Sequence, residues 1–399
     1  MKRTIFLGIV LCSLAWSKDD AFRQALQDGS LEGSLYALYY DRKSDTDTLD
    51  YTAAVAGGSL EYTTAKTPGI YIRAKLQSTN PVGSQTRPEA SRLIGVDGRG
   101  VDALAVAHLG LIDGNHLLTL GRQELDTPLM NGDTTRVIPY TYRGVGYQWD
   151  GPEASRIVLG KVEEIKALES RFFEPVSDSG ELKDGVWYAG VEDQVSEGLG
   201  YFVYYYQAEG LYNAIFFQLD ETFDWDGVRI ISGLQYVKTY RNGEGANIDP
   251  AREEGGDDIA LAGIRLGFKY DTYGLIVAHS ENSGQDGLGR AYGGEAKLFT
   301  TTMITDGIHR GSPKTTSLRL KYDWTPDTSS RIICNLTEYG TDAHDKVPDS
   351  ATNDYTSVYV DLKHAVAGDS LVYFQYEKLD KTIADTSMEE FRFSFVQWF

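Results

Sequence analysis

The sequence predicts an all-β protein, a transmembrane antiparallel β-barrel of about eighteen strands with a long third loop folded into its lumen. Three observations lead there. A period of two runs through short segments from residue 31 onward. The composition, with 26 Tyr, 15 Phe, 6 Trp, 42 Gly and only 11 Pro, is one of strands and turns. The last nine residues, FRFSFVQWF, put four phenylalanines and a tryptophan where chains are usually polar and frayed.

The N-terminus reads as an export signal over residues 1–17. Lys2 and Arg3 form a positive n-region, Thr4 to Leu14 an apolar run too short to span a bilayer, and Ala15-Trp16-Ser17 a small-x-small cleavage site. Cys12 lies inside the apolar run after Leu11, a poor lipid-anchor position. The formal net charge is −20; removing Lys2 and Arg3 leaves 36 basic against 58 acidic residues, a net of −22. Such acidity argues against nucleic acid as a partner. Cleavage also leaves Cys334 as the one cysteine, so no intrachain disulfide is expected. Past residue 17 no window approaches a helical membrane span, which leaves strands as the only way through a bilayer.

Residues 18–30 are expected to be a short periplasmic segment, and 31–399 the barrel. In GIYIRAKLQ, Ile70, Ile72, Ala74 and Leu76 oppose Tyr71, Arg73, Lys75 and Gln77. In DIALAGIRLGFKY, Ile264, Leu266 and Phe268 oppose Arg265, Gly267 and Lys269. KTTSLRLKYDW sets Leu318, Leu320 and Tyr322 against Arg319, Lys321 and Asp323, and DYTSVYVDLKH and SLVYFQYEK repeat the scheme. Each is a strand with one apolar face. The count of such segments is about nineteen; single-chain outer-membrane barrels have even numbers, and 292–299 is read as loop, which gives eighteen. Aromatics near strand ends, among them Tyr39-Tyr40, Tyr204-Tyr205-Tyr206, Tyr270, Tyr273 and Trp324, suit girdles at two lipid–water interfaces. The final strand alternates too: Phe391, Phe393, Phe395 and Phe399 share a face opposite Arg392, Ser394 and Val396. An exposed edge strand of that kind on a soluble sheet would invite aggregation, whereas a closing strand presses it into lipid.

Between the segments 115–123 and 144–150 lies ELDTPLMNGDTTRVIPYTYR, with two prolines and no period. A loop this long in a compact architecture either functions or is disordered, and its apolar anchors Leu129, Met130, Val137, Ile138, Tyr140 and Tyr142 argue for function. Residues 123–143 are therefore the expected constriction, with Arg136 and Arg143 as pore-facing charges.

GRQELDTP, TTRVIPYTYRG, the opening AFRQALQDGSLEGSLYALYYDR and the terminal Phe399 together resemble the OprD-type outer-membrane porins of Gram-negative bacteria. The resemblance implies an eighteen-stranded barrel whose third loop narrows the pore. It also implies uptake of small, often anionic or zwitterionic solutes past a row of basic side chains, and recognition of the terminal Phe399 by the barrel-assembly machinery. Gln397 departs from that terminal pattern, which has an aromatic two residues before the end.

By alternation Arg73, Lys75, Arg229, Arg265, Lys269, Arg319 and Lys321 fall on the non-lipid faces; Arg122 is counted with them on the pore path for its place at a strand end, although its parity is that of Leu118 and Leu120. A bare Arg facing mid-bilayer costs about 2–4 kcal/mol, so the lumen is its place. Weak, multiple guanidinium sites would let a carboxylate leave water without trapping it; solvated wall residues paired with Asp and Glu are the plainer reading. Asp45, Asp47 and Asp50 could hold calcium or bridge to lipopolysaccharide, although their spacing is not that of an EF-hand and suits a solvated turn.

The expected function is passive, weakly selective diffusion of small hydrophilic solutes, with outer-membrane lipid and lipopolysaccharide as surroundings and a homotrimer as an open assembly state. No cofactor or metal is expected: there is no CxxC, close His pair or phosphate loop. Two alternatives stand beside it. An outer-membrane barrel hydrolase could draw on His108, His116, His279, His309, His344 and His364, but no GxSxG or HExxH positions them. A secreted soluble β-protein could bind carbohydrate through its tyrosines, and would need no detergent.

Overall fold

In the computed structural model the period of two resolves into one antiparallel sheet that closes on itself. The structure describes residues 20–399 except 46–49, 67–68, 134–135, 177–184, 209–211, 242–258, 285–291, 303–312, 339–353, 367–368 and 382–385. The signal-sequence expectation for 1–17 and Asp47 lie outside the described residues.

The strands are β1 (Ser30–Ser44), β2 (Tyr51–Thr63), β3 (Ile70–Pro81), β4 (Val101–Asp113), β5 (His116–Gln123), β6 (Thr141–Asp150), β7 (Arg156–Lys166) and the two-residue β8 (Glu174–Pro175). They continue with β9 (Val186–Ser196), β10 (Leu199–Ala208), β11 (Tyr212–Trp225), β12 (Val228–Arg241), β13 (Ala260–Tyr270) and β14 (Tyr273–Asn282). Then follow β15 (Lys314–Thr325), β16 (Thr328–Glu338), β17 (Tyr355–Val366), β18 (Ser370–Lys381) and β19 (Thr386–Trp398). β8 bridges only to β7, which pairs directly with β9, so eighteen strands form the cylinder. Residues 292–299 form no strand.

Closure runs through β1 and β19, in register from Ser34↔Trp398 to Ser44↔Met388. Phe399 extends it, donating its N–H to the Gly33 carbonyl at 3.0 Å and accepting from the Gly33 N–H at 2.8 Å. The Phe399 ring lies where a Cβ on residue 33 would sit, so a larger residue there would displace the ring. Closure removes the sheet edges that an open sheet would expose.

At one end the connections are short, as at 197–198, 226–227, 271–272 and 326–327; at the other end run longer ones, with described residues at 82–100, 124–133, 136–140, 167–176 and 292–302. The short-turn end carries exposed Trp225, Tyr270, Tyr273, Trp324, Trp398 and Phe399, an aromatic girdle. Along the wall the exposed side chains are apolar, among them Leu76, Leu120, Val145, Leu234, Ile264 and Leu318, with Cys334 between Ile332 and Leu336 on that outer face. This is the reverse of a soluble sandwich, which buries its apolar face between sheets.

Residues 18–30, expected to be a short periplasmic segment, contain helix α1 (Asp20–Gln27). The Ala25 carbonyl accepts the Ala65 N–H at 2.9 Å, and Tyr62 donates its hydroxyl to the Leu26 carbonyl, so α1 is fastened beside the β2–β3 turn.

Candidate functional site

Two loops fill the middle of the cylinder. Residues 124–140, the third connection at the long-loop end, turn inward and bury Leu129, Met130, Ile138 and Tyr140. Tyr206 of β10 donates its hydroxyl to Thr127 Oγ1 at 2.9 Å and accepts the Leu129 N–H at 3.2 Å. Tyr142, wholly buried on β6, donates to the carbonyls of Asn131 at 2.9 Å and Gly293 at 3.0 Å, and so ties this loop to the second one.

That second loop, between β14 and β15, carries Tyr292 to Thr302 through the lumen. Its backbone groups hydrogen-bond to side chains of the wall and to the third loop, as buried irregular backbone requires. Gln235 Nε2 donates to the Lys297 carbonyl at 2.8 Å, Asn335 Nδ2 to that of Thr300 at 3.1 Å, and Asn131 Nδ2 to that of Glu295 at 2.7 Å. Arg319 donates to the carbonyls of Phe299 and Thr301, and Thr302 Oγ1 donates to Glu377 Oε1 at 2.6 Å. The sequence reading has 292–299 as loop but gives it no place in the pore. The signal available was Tyr292, Leu298 and Phe299, apolar anchors of the kind that marked the third loop.

Among the described residues, three cavities lie beside these loops. One of about 740 Å³ has five basic side chains in its lining, Lys75, Arg136, Arg331, Lys363 and Arg392, and one acidic, Glu295. Across the second loop lies a cavity of about 460 Å³ bordered by Arg156, Glu192, Gln218, Arg265, Lys297 and Arg319. A third, about 290 Å³, lies between the third loop and the β4–β10 wall, with Arg73, Arg156, Glu124, Asp126 and Glu192 in its lining.

The 740 Å³ cavity is organised around a buried stack. Glu390, fully buried, accepts from Arg392 Nε at 2.8 Å and from Arg42 Nε at 2.7 Å. The Tyr40 ring stacks on Tyr51 at 5.2 Å, and both the Arg392 and Arg136 guanidiniums lie over it, at 4.5 and 5.0 Å. Arg136 also donates Nε to the Ser91 carbonyl at 3.0 Å, so the third loop's arginine is held against the β1–β2–β19 wall.

The sequence-derived residues divide into three groups. Arg73 and Lys75 face the lumen but share carboxylates: Arg73 binds Glu61 and Glu124, and Lys75 binds Glu124 at 2.8 Å. Burial alone would raise the Glu124 carboxyl; Lys75 and Arg73 outweigh it and hold the group below the usual range. Arg265 faces the lumen beside Asp220 at 2.6 Å and under the Phe299 ring at 4.4 Å. Arg319 shares that face, bonded to neutral carbonyls. Near the short turns Arg229 pairs with Asp224 at 3.2 Å, and Lys269 and Lys321 share Asp323 at 3.7 and 2.8 Å.

Arg143 and Arg122 are corrections. Thr119 and Gly146 are in register on the luminal face, so Leu120↔Val145 and Arg122↔Arg143 lie on the outer face. Arg143 bridges to Glu164, and Arg122 reaches the Leu104 carbonyl at 2.9 Å with Phe173 over its guanidinium. The expectation for Arg143 assumed that the loop ran to residue 143, but β6 starts at Thr141, and alternation then turns Arg143 outward. Arg331, Lys363 and Arg392 were missed, although parity would have given each: Arg331 opposes Ile332, Lys363 opposes Leu362, and Arg392 opposes Phe391. Asp45 and Asp50 accept the backbone N–H groups of Ser387 at 2.5 Å and Ser44 at 2.6 Å, and no metal-binding group of acidic, His or Cys side chains occurs among the described residues.

Residues 97–327 match the family model described as outer membrane porin, OprD family. The chain belongs to the OprD family of outer-membrane porins. Among solved structures it is similar to OccAB4 of Acinetobacter baumannii, with 17% identity, TM-score 0.77, and 93% of this chain and 98% of that one covered. It is similar also to the outer membrane protein OpdK of Pseudomonas aeruginosa, with 15% identity, TM-score 0.79, and 94% and 99% covered. OpdK solved with vanillate gives 16% identity, TM-score 0.77, and 94% and 100% covered. No curated protein matches the chain in sequence. An OprD-family porin of this fold is a protein of the outer membrane.

Proposed function

We propose that the barrel is a passive, weakly selective channel for small hydrophilic solutes, favouring anionic and carboxylate-bearing ones. The observation that carries the reading is the 740 Å³ cavity beside the third loop, where five basic side chains meet one carboxylate. A wall of that sign lowers the barrier for an anion to leave water, and arginine grips a carboxylate with two parallel N–H bonds. Release stays fast because Arg331 and Arg392 are already engaged with Asp361 and Glu390, so each offers only part of its fork. The vanillate held by the similar OpdK barrel supports a small organic solute as cargo. Export through residues 1–17, ion passage and a Gram-negative outer membrane as destination belong to the same proposal.

Liposome swelling tests it. Vesicles containing the refolded protein should swell faster in acetate or benzoate than in ethanolammonium or choline solutions of equal osmolarity. Equal rates, or faster entry of the cations, would overturn the charge preference, and no swelling at all would overturn the channel.

A further inference from the structure

The 290 Å³ cavity holds two buried polar atoms with no hydrogen-bond partner in the protein: His108 Nε2 and Gln123 Nε2. Both residues are more than nine-tenths buried, His108 being 7% and Gln123 5% exposed. They are neighbours across β4 and β5, because His108 pairs with Gly121 and Gln123 follows two residues on, on the same face. His108 Nδ1 lies 3.2 Å from the Arg122 carbonyl, which can only accept; the ring proton therefore sits on Nδ1 and leaves Nε2 as an acceptor. The Gln123 amide nitrogen is a donor. One cavity thus presents an unmet acceptor beside an unmet donor, in side chains too buried to be served by bulk water.

Both groups are held in place by packing. The Tyr71 ring meets the His108 ring edge-on at 5.7 Å, and the Gln123 amide occupies the space that a side chain at Gly146 would fill. Leaving a buried donor or acceptor unmet is costly, so such a pair persists where something else satisfies it.

We propose that this cavity is a docking subsite for a hydroxyl group of the transported solute, which donates to His108 Nε2 and accepts from Gln123 Nε2. This rests on the diffusion-channel reading above. Arg73 and Arg156 share this lining with Glu124, Asp126 and Glu192, so the class it takes is set by the hydroxyl: small hydroxylated solutes. A single hydroxyl matches the acceptor–donor pair, whereas an ammonium group leaves the Gln123 donor unserved and a methyl group leaves both.

Lactate and propionate, which differ by one hydroxyl, are the probes. In liposome swelling and in block of potassium chloride current across a planar bilayer, the wild-type channel should favour lactate over propionate by about three- to tenfold, one net hydrogen bond. His108→Phe, which keeps the ring beside Tyr71, and Gln123→Met, which keeps the volume, should each bring that ratio near one with potassium chloride conductance unchanged. Heat-modifiable gel migration reports whether either variant folds; the wild-type ratio and the other variant still decide if one does not. A wild-type ratio of one, the result if the pair merely holds a water, overturns the subsite while conductance and anion preference leave the channel reading intact. An unchanged ratio in both folded variants overturns it as well. Absence of conductance would instead strike the channel reading.

Discussion

The two sides of the lumen use charge differently. Around the 740 Å³ cavity the basic side chains outnumber the acidic, and Arg136 hangs from a loop onto a wall of stacked rings. Around the 290 Å³ cavity the balance reverses: Arg73 and Arg156 meet Glu124, Asp126 and Glu192. The first side can act at a distance on an anion, whereas the second is a network closed on itself that acts through hydrogen bonds at contact. Counting basic residues on luminal faces does not separate the two sides; the carboxylates that reach each cavity's lining do.

The largest effect expected from disturbing this contrast is on stability. Arg392→Ala leaves Glu390 buried with Arg42 as its remaining strand partner, a loss of about 3–5 kcal/mol, read as a lower urea midpoint in detergent. Next comes Arg136→Ala, which removes a cavity-lining charge. It should cut the anion-to-cation permeability ratio about fivefold, the equivalent of roughly 1 kcal/mol. On the other side Glu124→Gln leaves Arg73 and Lys75 with Glu61 as their shared carboxylate, so the ratio should rise, by about twofold, in the same recording. Arg229→Gln, at the short-turn mouth and 54% exposed, should change selectivity least and only in low salt.

Acidity sharpens the comparison. Glu124 is held below the carboxylate range, so its share of stability is fully present above the unfolded value and is lost only as pH falls through the lower folded value. The permeability ratio should therefore stay flat from about pH 8 to 5. A rise in anion preference within that window would show the network opening early.

Much of the wall was legible because burial on one side only writes itself into every second residue: Ile70 to Leu76 and Leu318 to Tyr322 declare their faces without help. The same parity placed Arg265 and Arg319 in the lumen. Arg143 was misplaced because it was read as loop, and the strand begins earlier than the loop chemistry suggested. The interior was less legible, because the loops carry no period. Nothing local in TYGLIVAHSENSG announces that the chain after it will cross the lumen, and the Glu390–Arg392–Tyr40–Arg136 stack joins residues brought together only by closure of β19 on β1. The unmet atoms of His108 and Gln123 likewise depend on a cavity that exists only once the third loop is inside.

The central claim is that the basic cavity beside the third loop sets the sign of selectivity. Reversal potentials of the wild-type channel in a planar bilayer under a tenfold potassium chloride gradient test it directly. The account predicts a chloride-preferring potential that moves toward zero in Arg136→Ala; a potassium-preferring wild type, or a potential unmoved by that substitution, would contradict it.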